Sequence, residues 1–457
     1  MRNNSQLHRT PMSVVDTAWL RMDSPENLMV INGVFLFDEE YSKEKLEDLI
    51  GERLLKIDRF RTRPVAEGKR YFWEELAEID MAYHVSSAVL PDSESPEKAL
   101  QQFAGELTCV PLDPTKPLWR FYHIDGYKNG AAVVFKIHHS YADGMALITV
   151  MDAIADKSVM HSSPAANFKF PQRKPSSNTA LGKLQFMLEG VALSVGFGLS
   201  WLYEALKVAF LSADSKTSYK QPLSTKKQVV WAPSLDVQEV KRVGKALGCT
   251  MNDVLLACVA GSLRRYLKAK GEQVEGVRLR ATVPVNLRPL SEAMNLGNEF
   301  GLVYLDLPVG EQDAIERVYK VKSSMSKLKN GIQAKMSYGV LSILGFFPTA
   351  AQRFALNFFS SKASAVMTNV PGPTEPVYFE GVKLSKPMFW VPQSGEIGIG
   401  VSILSYDAKV EFGLIADTAL VSDPHAVIDG FMEEFNHLKG KVIKDVSQPG
   451  PAMAAAS

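Results

Sequence analysis

The 457-residue chain has only three cysteines, Cys109, Cys249 and Cys258, scattered without a CxxC pair. That argues against a disulfide framework or a cysteine-rich zinc site and fits a reducing compartment. Charge of one sign is lacking too: 51 Lys and Arg stand against 50 Asp and Glu, a net +1. No whole-chain field exists to gather nucleic acid, so no nucleic-acid partner is expected. A long apolar run is also missing. The most apolar uncharged stretch, 190–203, holds fourteen residues, three of them glycine, whereas a span needs about 20. Residues 1–11 are polar and carry no secretory apolar core. No GxxxxGK, GxSxG or HExxH occurs, and Gly196-Phe-Gly198 runs into Leu-Ser-Trp rather than a dinucleotide fingerprint. Phosphate-loop, serine-elbow and helical zinc chemistries are thereby set aside, and no cofactor or metal is expected.

What is present is ordinary globular material, 46% hydrophobic and 22% charged, enough for two to four domains at roughly 100–200 residues each. Residues 1–160 read as mixed α/β. Strands are expected at 29–37, 119–124 and 131–138, with helices at 42–55, from Ser95-Pro96, and at 145–154. Asn129-Gly130 signals the turn between the second and third strands. Residues 161–227 read as a crossover: a Ser/Pro/Lys-rich linker, an apolar stretch 182–211, and a loop 212–227 with four lysines. Residues 228–440 again alternate, with strands at 229–232, 279–285, 302–307, 365–370, 397–404 and 409–415 and helices at 235–247, 252–267 and 423–438. Residues 441–457 read as a disordered tail.

The segment that carries chemistry is Ile137-His138-His139-Ser140-Tyr141-Ala142-Asp143-Gly144, at the end of a strand and the start of a helix. With a period of two, His139 shares a face with Val133, Phe135 and Ile137, while His138 points away with Val134 and Lys136. That separation disfavours a two-histidine metal site. Imidazole can act as a general base near neutral pH, Asp143 can fix the loop, and Gly144 would permit a turn that a Cβ hinders. A histidine at a strand end can equally be structural, and the pattern alone leaves both open.

HHxxxDG resembles the signature of the CoA-dependent acyltransferase superfamily. Other segments are similar to one branch of it, in order along the chain: Ser13-Val-Val-Asp16 with Leu20-Arg21-Met22, Pro117-Leu118-Trp119, Asn252-Asp253-Val254-Leu255-Leu256-Ala257, Val283-Pro-Val-Asn-Leu-Arg288-Pro, Gly297-Asn-Glu-Phe-Gly301, and Thr368-Asn-Val-Pro-Gly-Pro373. Together, over about residues 12–440, these resemble the bacterial wax ester synthase/diacylglycerol acyltransferase family. The resemblance implies an α/β, two-domain, chloramphenicol-acetyltransferase-like architecture with mixed sheets and an active-site tunnel at the domain interface. It implies an O-acyltransferase that moves a long-chain acyl group from acyl-CoA, a substrate and not a cofactor, to a fatty alcohol or diacylglycerol without an acyl-enzyme. His139 would be the general base and His138 structural. Asp143 would pair with Arg288 across the domains. Asn252 would either donate near the reacting carbonyl or cap its helix. Thr368 and Asn369 would either bind the oxyanion or pantetheine arm or form a strand-end turn.

Two alternatives stand beside this: the same fold with another acceptor or a carrier-protein donor, and a non-catalytic lipid-surface protein. Intact His139 and Asp143 speak for catalysis. The stretch 182–211 beside the basic loop, or the Phe-rich stretch 339–359, suggests a peripheral lie on the inner membrane or a lipid droplet in a cytoplasmic protein. Oligomeric state has no signature.

Overall fold

The computed structural model describes residues 8–68, 70–157, 210–287, 297–329, 333–344, 347 and 349–446. The stretch 182–209, Arg288 and residues 447–457, on which expectations rested, lie outside the described residues.

Two mixed sheets form the frame. The first runs, edge to edge, Tyr378–Phe379, Val382–Trp390, Val30–Phe37, Gly130–His138, Trp119–Tyr127, Val85–Ser87. Only its last pair is parallel. The second runs Phe300–Leu307, Leu279–Asn286, Ala365–Pro371, Ile399–Tyr406, Lys409–Asp417, Lys227–Trp231. Its parallel pairs flank Ala365–Pro371. A small third sheet joins Arg9–Pro11, Arg70–Glu75 and Thr62–Glu67; the sequence reading contained none of its strands.

The strand Val382–Trp390 belongs by sequence to the second half, yet it pairs with Val30–Phe37 of the first. The period-two reading did not find it. Its run VKLSKPMFW contains Pro387, which a buried strand normally excludes because the ring cannot donate to the ladder. Leu384 to Lys386 shifts register by a bulge just before that proline.

Strand Gly130–His138 is buried along its whole length. Val133, Phe135 and Ile137 enter one apolar core with Trp119 and Tyr141, while Val134 enters another with Trp231 and Trp390. That second core is the layer between the two large sheets. Helix Pro96–Thr108 lies in it, started by Ser95, whose Oγ accepts from Lys98 N, with Pro96 in its first turn. Its last carbonyls meet the buried Lys136 Nζ, which donates to Leu107 O at 2.7 Å and also to Val110 O. A cation there answers the negative end of the helix. The hairpin before the strand differs from expectation. Tyr127 pairs with Gly130, so Lys128 and Asn129 are the turn residues, and Lys128 takes the positive φ of 55°. Gly130 is needed for another reason: a Cβ there would stand 2.1 Å from Phe37 O.

The loop 212–227 is not a free basic patch. Lys220 Nζ donates to Ser360 O and Ala363 O. Lys227, buried, lies 3.5 Å from Asp417, and Asp214 is buried against Arg280 at 3.1 Å. Half of the loop's lysines are therefore held by the protein itself. No single described helix is long and apolar enough to cross a membrane.

Candidate active site

His139 follows the last residue of strand Gly130–His138, and its N–H donates to Met29 O at 2.7 Å. It is 3% exposed. Trp19, from helix Val14–Arg21, stacks on the imidazole with centroids 4.1 Å apart and planes 17° apart, and Phe300 of the second sheet tilts against it at 5.6 Å. In the ring plane, Nδ1 lies 2.7 Å from Asn298 Oδ1. An amide oxygen can only accept, so Nδ1 carries the proton and Nε2 keeps its lone pair. Among the described residues Nε2 has no hydrogen-bond partner. Burial holds the imidazole pKa down to about 4, against the opposing pull of the Asp143 carboxylate and the Asn298 contact. The ring is neutral at physiological pH.

His138, equally buried, is tied differently. Its Nδ1 accepts from Ser140 N at 3.1 Å, and Nε2 faces Asp23 Oδ2 at 3.3 Å. Asp23 also accepts from Met29 N, so His138 ties the strand end to the segment that leads into Val30–Phe37. The two neighbouring histidines therefore have different partners.

Asp143 is the N-cap of helix Gly144–Ile154: Oδ1 accepts from Ala146 N at 2.9 Å. Its Oδ2 accepts from Glu299 N at 3.1 Å, and its own N–H reaches Gly297 O at 3.3 Å. The carboxylate thus ties the motif loop to the second half of the chain. The expected partner, Arg288, is outside the described residues. The expectation for Gly144 needs correction. Gly144 is the first helical residue, has no positive φ, and a Cβ there would meet Phe389 and Val391 at ordinary van der Waals distances of 3.8 and 4.0 Å. The turn does not require glycine.

Asn252 does not cap its helix. Thr250 does, in a reciprocal capping box with Asp253, and Asn252 stands exposed in the first turn. Thr368 is buried and its hydroxyl donates to Val401 O at 3.3 Å, a bond within the second sheet. Asn369 follows on strand Ala365–Pro371. Its Nδ2 is buried and lacks a partner among the described residues, as does Trp19 Nε1. The neighbouring Val370 packs in the same apolar cluster as Tyr141 and Ile148. Pro117-Leu118-Trp119 is structural: Leu118 O accepts from His138 N, and Trp119, fully buried, donates from Nε1 to Phe60 O at 2.9 Å.

Beside the histidine lies an open apolar cavity. Trp19 and Met22 line it from the first half, Phe300 and Leu302 from the second, and Leu356 and Phe359 close a side. Trp19 and Phe300 thus touch both the imidazole and the cavity. Its walls suit a hydrocarbon chain. Among the described residues no cluster of His, Cys, Asp and Glu could hold a metal ion.

Four residues at the histidine, Asp16, Trp19, Asn298 and Phe300, were not singled out as site residues from sequence. The signal existed: Asp16 lies in Ser13-Val-Val-Asp16, and Asn298 and Phe300 lie in Gly297-Asn-Glu-Phe-Gly301. Nothing in either segment announces its chemistry, because the residues join only when the two halves meet.

Comparison with known proteins agrees with the geometry. The wax ester synthase/diacylglycerol acyltransferase catalytic domain matches residues 12–255, and the WS/DGAT C-terminal domain matches residues 296–439. The chain is 25% identical to the O-acyltransferase WSD of Acinetobacter baylyi, over 95% of this chain and 98% of that one. It is 28% identical to wax ester synthase/diacylglycerol acyltransferase 11 of Arabidopsis thaliana, over 82% and 84%. Its fold is that of the wax ester synthase/diacylglycerol acyltransferase from Marinobacter aquaeolei VT8, with a TM-score of 0.68 at 21% identity over 95% and 100%. It is also that of a trichothecene 15-O-acetyltransferase from Fusarium sporotrichioides, with a TM-score of 0.60 at 12% identity over 96% of each. The chain belongs to the wax ester synthase/diacylglycerol acyltransferase family of O-acyltransferases.

Proposed function

We propose that this chain transfers a long-chain acyl group from acyl-CoA to a long-chain alcohol, giving a wax ester, and to diacylglycerol, giving triacylglycerol, with His139 as the general base. The observation that carries this is one neutral imidazole whose Nδ1 is occupied and whose ring packs against Trp19 and Phe300, two residues that also line an apolar cavity. The alcohol oxygen attacks the thioester carbonyl as its proton moves to Nε2. The tetrahedral intermediate then collapses, the C–S bond breaks, and Nε2 returns the proton to the leaving thiolate as CoA-SH. Burial that lowers the imidazole pKa makes the transient imidazolium a ready acid for that return. Base assistance of this kind contributes about 10²–10⁴-fold. The unpartnered Asn369 Nδ2 is the candidate donor to the oxyanion. No acyl-enzyme is invoked: the adjoining Ser140 directs its Oγ to His138 Nδ1 at 2.8 Å and not to His139. Thioester release from palmitoyl-CoA, measured with and without hexadecanol and with diacylglycerol, tests the reading. Release that ignores both acceptors contradicts it.

Peripheral lipid contact is part of the proposal. Helix Thr349–Ser360 has no acidic residue and one cation, Arg353. Leu356 and Phe359 line the cavity, while Phe354 (76% exposed), Phe358 and the preceding Phe347 face outward. Lys362 Nζ sits 4.3 Å over the Phe358 ring and donates to Leu211 O at 2.6 Å, which brings Phe210, 82% exposed, to the same side. An apolar face of this kind beside cations suits the edge of an inner membrane or a lipid droplet.

A further inference from the structure

We propose that Asn298 is the positioning residue that fixes the tautomer of His139, and that Asp16 fixes Asn298 in turn; this rests on His139 being the base. An amide is ambiguous as a partner for imidazole. With Oδ1 toward Nδ1, it forces the proton onto Nδ1 and frees the Nε2 lone pair. Flipped by a half turn, it would donate to Nδ1, move the ring proton to Nε2, and abolish the base. The choice is made on the far side of the amide. Asn298 Nδ2 lies 2.9 Å from Asp16 Oδ1 and 2.7 Å from the backbone O of His139. An ionised carboxylate and a carbonyl can only accept, so the NH₂ group must face them and Oδ1 must face the imidazole.

Asp16 is 1% exposed, which pushes its pKa up, and the Arg59 guanidinium, 3.5 Å away, acts against that and favours the carboxylate. Arg59 is itself seated 4.2 Å over the Trp73 ring. The backbone cooperates: Gly297, with φ +131°, precedes Asn298, and a Cβ on it would lie 3.7 Å from Asp16 Oδ2. Trp19, one turn after Asp16 on the same helix, covers the imidazole face. One helix from the first half therefore sets both the ring plane and, through an amide of the second half, the ring proton. The base is competent only when the halves are docked.

The test uses the full chain, palmitoyl-CoA and hexadecanol, with kcat, KM, Tm and the pH profile read together. Asn298→Ala is expected to lower kcat by about a hundredfold or more, with KM within a few-fold and a fall in Tm no larger than that of His138→Ala, which also leaves buried partners unsatisfied. The reversed pair, Asp16→Asn with Asn298→Asp, keeps the side-chain shapes and sets a carboxylate oxygen against Nδ1, while its second oxygen meets the backbone O of His139 to which Asn298 Nδ2 donates. It should therefore recover only part of the kcat that Asn298→Ala loses, and its pH profile is the readout that decides. The titratable and charged groups around His139 are Asp143 and His138 of its own loop, and Asp16 and Arg59 beyond the amide. A carboxylate in direct contact should raise the acid limb by roughly one to three pH units. Asn298→Ala within threefold of the original kcat, a loss of kcat that merely follows a fall in Tm, or a reversed pair that leaves the acid limb in place would each overturn the lock. Full activity of His139→Ala would instead overturn the base assignment. Should Asn298→Ala fail to fold, the isosteric pair decides.

Discussion

His138 and His139 are neighbours of the same type, both almost fully buried, yet the strand's pleat gives them to different regions. On one side, His138 is bonded at both nitrogens to residues of its own half, Ser140 and Asp23. On the other, His139 is bonded at one nitrogen across the chain halves and stacked at its face. A buried imidazole with both nitrogens engaged holds structure together. One with a single nitrogen engaged, beside a cavity, keeps a lone pair for chemistry. The difference lies in the partners and not in the residue.

Substitutions can break the comparison. The largest effect is expected at His139→Ala, a fall in kcat of at least 10²–10⁴-fold with the melting transition retained. Asp143→Ala should follow, losing activity and about 1–3 kcal/mol of stability in chemical denaturation. It removes both a helix cap and the charged acceptor of Glu299 N. His138→Ala should cost a similar 1–3 kcal/mol by leaving buried partners unsatisfied, with a much smaller change in kcat than at His139.

Acid sharpens the contrast. The pKa of His139 is lowered by burial to about 4, and so is that of His84, against about 6.5 in an unfolded chain. Below pH 6.5 the unfolded state binds protons that the folded state refuses. These groups therefore leave stability untouched above about 6.5 and remove it progressively as pH falls toward 4. Tm measured across that window should drop, less steeply in His139→Asn. For the same reason the acid limb of kcat/KM should lie below pH 6; a limb at or above 6.5 would contradict a buried neutral base. The smallest effect on chemistry is expected at the outer face of helix Thr349–Ser360. Phe354→Glu with Phe358→Glu should abolish flotation with anionic phospholipid vesicles while changing turnover of a short soluble alcohol by less than about threefold. Unchanged flotation would remove that face from the account.

Much of this was legible in the chain. Alternation placed Val133, Phe135 and Ile137 on one face, because strand Gly130–His138 runs without a bulge along Val30–Phe37 and keeps its period of two. HHxxxDG and the accompanying segments carried the family. What was not legible depended on distant encounters. The strand Val382–Trp390 crosses to the other sheet despite Pro387. Asn252 yields the cap to Thr250 because the helix begins one residue earlier than its apolar run suggests. The loop 212–227 reads as basic, but Lys220 and Lys227 are turned inward to carbonyls and Asp417. Asp16 and Asn298 are 282 residues apart and look unremarkable until the halves bring them together at one imidazole.

The central claim is that His139, and not its neighbour, supports acyl transfer to a long-chain alcohol. Its most direct test is wax ester formation from palmitoyl-CoA and hexadecanol by purified wild type, His138→Ala and His139→Ala at matched folded concentration. Ester is expected from wild type, ester at reduced yield from His138→Ala, and at most about a hundredth of the wild-type rate from His139→Ala. Ester formation by His139→Ala at a rate near wild type, or its loss in folded His138→Ala alone, would contradict it.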